Sequence, residues 1–213
     1  MLAHMRAHIC DISKTTAIDY FWKWVDVMYL NLNFLIKMQD RMDIYKTIPP
    51  VFKAKFPRLT CIIDYFEIFI ESPQCLLARA KCYSQYKKHC TVKVMISCTP
   101  FGAVDFLSQC WGGRVLDNHF VRDSNFHLSK YHMPRDQLLA DRGFTLADNF
   151  AAGSGAELFV PASLKEKINC LQGVLPFRTV KSIKDETMNE TLSSCDKIVS
   201  VCASLVNLDT SII

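Results

Sequence analysis

The sequence predicts an α/β fold, a mixed five-stranded sheet flanked by helices, behind a short N-terminal helical segment. Three observations predict it. The stretch RLTCIIDYFEIFIESP, residues 58–73, is apolar on both faces of an extended chain, the pattern of a central strand covered by helices on each side. The runs TVKVMISC and AVDFLSQCW flank a TPFG turn as the arms of a hairpin. Beyond residue 117, helix-like and strand-like runs alternate. Half of the 213 residues are hydrophobic, with 7 Gly and 8 Pro, which suits one ordered core.

Element by element, DISKTTAIDYFWKWVDVMYLNLNFLI opens on a cap signal and places Ala17, Phe21, Trp24, Val25 and Met28 at helical spacing, with a second short helix to about Met38. The prolines of IYKTIPPVFKAKFPRL mark the passage into a new unit, so residues 1–47 are expected as a helical segment and 48–213 as the main domain. The strand around residue 64 comes next, then a polar, basic connection SQYKKHC and the hairpin. After WGGR a helix begins near Asp117. QLLADRGF gives a strand that ends at Asp141 in a turn, TLADNFAA a short helix, AELFVP a fifth strand and SSCDKIVSVCASLVNL a last amphipathic helix. From residue 58 this order is that of the ribonuclease H-like fold.

The net charge of +4 permits a nucleic-acid partner without requiring one. No apolar run approaches about 18 residues, and MLAHMRAHIC lacks the apolar core of a signal peptide, so neither membrane insertion nor secretion is expected. The ten cysteines form no C-x-x-C pair, and several fall in apolar runs, which points to a reducing, intracellular compartment. His4, His8 and Cys10 have the spacing of half a zinc site with no matching pair.

Asp64 is the anomaly of the first strand. A carboxylate buried there without compensation costs several kcal/mol. Its partner is either a basic group, such as the nearby Arg142, or a metal ion shared with a second carboxylate. In the ribonuclease H-like fold the first and fourth strands are parallel neighbours, which would bring Asp64 and Asp141 within roughly 5 Å across the ladder, although 77 residues separate them in sequence. Two such acids suit a hard divalent cation of the kind that activates water on a phosphodiester.

DYFEIFIESP, YSQYKKHCTVK, CWGGRVLDNHF, LADRGF, GAELFVPA and DKIVSVCASLVNL, in that order, resemble the DDE endonuclease domain of Harbinger-type transposases and their host-domesticated relatives. The resemblance runs from about residue 19 to the end, and WGGRVLDNHF and LADRGF are its most specific pieces. It implies a nuclease acting on DNA in the nucleus, with the cytoplasm as a second expected compartment, and Mg²⁺ or Mn²⁺ as cofactor. Asp64 and Asp141 match the first and second catalytic, metal-holding acids. It also implies a separate DNA-binding partner protein as one candidate partner. DISKTTAIDYFWKWVDVM resembles the recognition half of a helix-turn-helix, with Ser13, Lys14, Thr15 and Thr16 at the groove-facing end; equally, Trp22, Trp24 and Met28 could pack on the nuclease core. Tyr83, Tyr86, Lys87, Lys88, His89 and Lys93 could line a phosphate-contacting face or form a solvated loop.

The third acid of the family has no clear counterpart. It belongs on a helix after the fifth strand, and here GAELFVPA runs into SLKEKINCLQGVLPF with too little chain between Pro161 and Cys170. The sequence therefore has the look of an internal deletion. Glu157 belongs to the fifth strand, Glu166 lies past the expected position, and Glu67 falls on the opposite face of the strand from Asp64. Impaired activity is the expectation, with a non-catalytic DNA- or protein-binding remnant of a domesticated transposase as the alternative.

Overall fold

The structure, a computed structural model, describes residues 12–141, 144, 146–160 and 188–208. Its first helix, α1 (Lys14–Leu32), starts where Ser13 accepts a hydrogen bond from the Thr16 N–H at 3.0 Å, satisfying a donor that the first turn leaves orphaned. A single 3₁₀ turn, Asn33–Leu35, ends it, and two short helices follow, α2 (Arg41–Thr47) and α3 (Pro50–Lys55). Asp40 caps α2 and Pro50 opens α3, a position where its missing N–H costs nothing.

The strands are β1 (Leu59–Phe69), β2 (Tyr83–Ser84), β3 (His89–Cys98), β4 (Val104–Leu107), β5 (Trp111–Gly112), β6 (Gln137–Ala140) and β7 (Glu157–Phe159). Between them run α4 (Leu76–Cys82), α5 (Asp117–Ser124) and α6 (Ala147–Gly153), and α7 (Met188–Asn207) follows. β1 lies between β3, antiparallel, and β6, parallel; β7 extends the sheet beyond β6, again parallel. β2, β5 and β4 share the remaining edge of β3 in turn. The sheet is thus mixed, with β1 central, as its two apolar faces require.

Four apolar clusters hold the layers. On one face Cys61, Ile63, Met95, Leu138 and Ala140 meet Val121 of α5 and Phe150 of α6. On the other, Ile62 and Leu59 meet Ile48 and Phe52, while Ile68, Val92, Val94 and Ile96 lie under Cys195, Val199 and Ala203 of α7. The end of α7 is tied down by Asn207, whose amide donates to the carbonyls of Leu35 and Val104 and accepts from the Val104 N–H. α1 lies along α7, where Lys197 pairs with Asp26 at 2.6 Å. Trp24 is 63 % exposed on its outer side, whereas Trp22 and Met28 are half-buried.

Several expected elements change in detail. AVDFLSQCW is not one strand but two, because side chains interrupt its ladder: Ser108 Oγ accepts from the Met95 N–H at 2.9 Å, and Asp196 of α7 accepts from the Cys110 N–H at 2.6 Å. The helix expected to reach Met38 stops at Leu35, α2, α3 and α4 are additional, and β2 forms where a connection was expected, so the sheet has seven strands rather than five. TPFG is the expected turn, closed by the Thr99 N–H on the Ala103 carbonyl, with Gly102 at φ 106°, a conformation that favours glycine.

Candidate active site

Asp64 sits in the middle of β1, opposite Ile96 of β3. On the other side of β1 the parallel register pairs Ile62 with Leu139 and Ile63 with Ala140. β6 ends there, and Asp141 is the next residue, so the chain carries it to the position beside Asp64, in a ladder whose strands run about 4.8 Å apart. The Phe144 N–H then returns to the Asp141 carbonyl at 3.0 Å, the turn that the sequence anticipates.

Asp64 is half-buried and Asp141 exposed. Burial raises the Asp64 carboxyl above the usual carboxylate range; the Tyr65 N–H, donated to it at 2.7 Å, opposes the rise, and the charge of Asp141 adds to it. A cation between the two acids would relieve both desolvation and repulsion, and two carboxylates are hard oxygen donors suited to Mg²⁺ or Mn²⁺. On the opposite face of the sheet, Tyr65 stacks on Phe144, centroids 4.8 Å apart and planes 13° from parallel, and Lys93 Nζ stands 4.9 Å from the Tyr65 ring.

The remaining acids are placed elsewhere. Glu67 faces the other side of β1 and accepts from Thr91 Oγ1 at 2.8 Å. Glu157 lies beside Gln137, at the far end of β6 from Asp141. Asp136 accepts from Arg41 Nε and from the Met133 N–H. Asp196 serves the Cys110 N–H. Among the described residues no group of three His, Cys, Asp or Glu could hold a metal ion. Glu166, His4, His8 and Cys10 lie outside the described residues.

Sequence reasoning passed over Asp105, the residue at which the β3–β4 register shifts. It is 2 % exposed, neither carboxylate oxygen has a hydrogen-bond partner among the described residues, and burial pushes its carboxyl up to about 7. A single apolar-flanked Asp in a short run gives no signal that it will be buried at a bulge rather than exposed.

No described helix is long and apolar enough to cross a membrane. No curated protein and no solved structure matches the chain. The model of one family, the DDE superfamily endonucleases, matches residues 63–207, which takes in β1 from Ile63 onward, β6, both acids and α7. Endonucleases of this superfamily act on DNA and generally use divalent metal. Matched over about two-thirds of its length, the chain belongs to the DDE superfamily of endonucleases.

Proposed function

We propose that the chain is a transposase-derived, Harbinger-type, ribonuclease H-like nuclease domain acting in the nucleus, in which Asp64 and Asp141 hold Mg²⁺ or Mn²⁺. The observation that carries this reading is the β1–β6 register, which brings Asp141, at the end of β6, beside Asp64 in mid-β1, with Asp64 half-buried and its carboxyl raised. When bound, the cation would supply Lewis acidity toward a phosphodiester and a more acidic water. The chain's own part is positional. β1, clamped between β3 and β6, fixes Asp64; the turn at Phe144 fixes the backbone of Asp141; and the Tyr65 N–H orients the Asp64 carboxylate.

Two acids hold a metal loosely, and a 1 Å misplacement of a reacting group can cost about a hundredfold in rate. Glu67, Asp136 and Asp196 are engaged by other partners and Glu157 lies at the far end of β6, so poor nicking by the chain itself is part of the proposal. The same placements favour the alternative of a non-catalytic DNA- or protein-binding derivative, with a separate DNA-binding protein as one candidate partner.

Calorimetry with Mn²⁺ tests the site: heat of binding is expected for the wild type and not for the double change Asp64→Asn, Asp141→Asn, and equal signals would remove the shared site. Plasmid relaxation in Mg²⁺ tests the chemistry. Little nicking is expected from the chain as it stands, and nicking from a version with a family-like, Glu-bearing segment inserted between Ala162 and Leu164. Robust nicking by the unmodified chain that Asp64→Asn abolishes would mean that another carboxylate completes the site and that no deletion impairs it.

A further inference from the structure

The positive charge of this protein is concentrated in one unit. Residues 72–116 carry six basic residues, Arg79, Lys81, Lys87, Lys88, Lys93 and Arg114, against one acid, the buried Asp105; the rest of the chain holds 19 basic residues against 20 acidic. The whole net charge of +4 is therefore owed to this stretch.

Folding gathers the charge at one end of the sheet. β2 and β3 form a hairpin whose tip, Gln85 to His89, is exposed throughout. Lys88 holds a left-handed backbone, φ 56°, a conformation that glycine or asparagine adopts more easily, with its N–H on the Ser84 carbonyl at 2.9 Å. Tyr86 is 84 % exposed, with Lys87 Nζ 4.9 Å from its ring centroid, and His89 meets the Phe69 ring edge-on.

The turn after β5 is pressed against this hairpin. Gly113 donates to the Thr91 carbonyl at 2.9 Å, and a Cβ on it would fall 1.9 Å from Thr91 Oγ1 and 3.0 Å from the Cys82 carbonyl oxygen, so only glycine permits the approach. The next residue, Arg114, donates its N–H to the Lys81 carbonyl. The result is an open cleft of about 330 Å³ lined by Leu76, Arg79, Ala80, Tyr83, Gln85 and Arg114.

We infer that this face, at the end of the sheet beyond β3, holds the phosphate backbone of duplex DNA on the flank of the Asp64–Asp141 pair, with the cleft seating a sugar-phosphate between the Arg79 and Arg114 guanidinium groups. The inference rests on the nuclease reading for its ligand. Its placement is metric: the hairpin begins where Thr91 pairs with Phe69, five residues beyond Asp64 along β1, roughly 17 Å on. That distance is about five phosphates along one strand at about 3.4 Å each. Guanidinium and ammonium groups on phosphate position DNA without selecting its sequence, and exposed tyrosines beside them suit the sugar and base edges.

The test is binding in EDTA, so that cleavage and metal play no part: fluorescence anisotropy of a labelled duplex of about 30 base pairs, titrated at several salt concentrations. The variant Lys87→Gln, Lys88→Gln, Arg114→Gln is compared with a charge-matched control on α3 and the segment after it, Lys53→Gln, Lys55→Gln, Arg58→Gln. The slope of log K against log salt should fall by about 0.9 for each phosphate contact removed, two to three in all, with affinity down at least tenfold at low salt and equally on unrelated sequences. The control should keep both slope and affinity. No binding by the wild type, an unchanged slope in the first variant at unchanged melting temperature, or an equal loss in the control would each overturn the inference. Any of these leaves the Mn²⁺ site at Asp64 and Asp141 standing, because that is read by calorimetry without DNA.

Discussion

Asp64 and Asp105 are two carboxylates of one sheet, both raised by burial, and they differ in what lies next to them. Asp64 stands in mid-strand beside Asp141, where β6 has ended and the second acid is exposed; Asp105 is enclosed at a register shift, its oxygens unpartnered among the described residues. The more perturbed group of the two is the one without access to solvent or substrate. A raised carboxyl is thus a sign of confinement first, and becomes a sign of chemistry only where a second ligand and an opening accompany it.

The largest expected effect lies on Asp105. Its folded-state value of about 7 stands above the unfolded 3.8, so the folded state binds the proton more tightly. The associated stability is complete below the unfolded value and is lost as pH rises through 4 to 7, at about 1.4 kcal/mol per pH unit. Asp105→Asn should abolish this dependence: relative to their difference at pH 4, the variant should gain roughly 4 kcal/mol on the wild type by pH 8, read by urea unfolding at each pH. Parallel pH dependence in the two proteins would show that Asp105 is not confined as described.

A step smaller is Arg41→Ala. Asp136 is as buried as Asp105 but satisfied by the Arg41 guanidinium, whose own proton affinity is raised chiefly by its hydrogen bond to Asp136. Removing the partner leaves a second stranded carboxylate, at a cost of about 3 kcal/mol in urea unfolding at pH 7. A cost below about 1 kcal/mol would mean that the Met133 N–H alone suffices.

The smallest effect belongs to Asp64→Asn. The sign is that of Asp105, stability falling as pH rises through the raised value, so without metal the variant should melt slightly higher than the wild type at pH 7. Mn²⁺ should reverse the order, since it stabilises only the chain that binds it. Asp105→Asn should show the same Mn²⁺-induced rise as the wild type, and a loss of that rise would break the contrast between the two acids.

What the sequence disclosed follows the strength of its periodic signals. β1, β3, β6 and α7 were legible because each buries a continuous stripe or both faces, and β7, α5 and α6 from their place in the alternating order. α2, α3 and α4 were not. They are six or seven residues long, stabilised by docking single side chains such as Ile44 and Ile48 rather than by their own pattern, and Leu76 and Leu77 of α4 stay exposed. The break between β4 and β5 is made by Ser108 and by Asp196, some 86 residues from the amide it serves, and no local pattern encodes such a distant bond. Asp64 and Asp141 could be set side by side only through the topology of the expected fold. The cleft at Arg79 and Arg114 joins residues 35 apart through a glycine whose role appears only at contact.

The parallel pairing of β1 with β6 has a consequence in time. The two acids meet only after a 77-residue stretch of chain has closed on itself, whereas the basic hairpin is local and complete within a dozen residues of turn and ladder. Closing the longer loop costs more chain entropy, and parallel ladders are slow to form. During synthesis the basic hairpin should therefore emerge and pair before the acid pair exists, and, on the readings proposed above, a nascent chain released short of residue 141 would carry the phosphate-binding charge without the metal-holding acids.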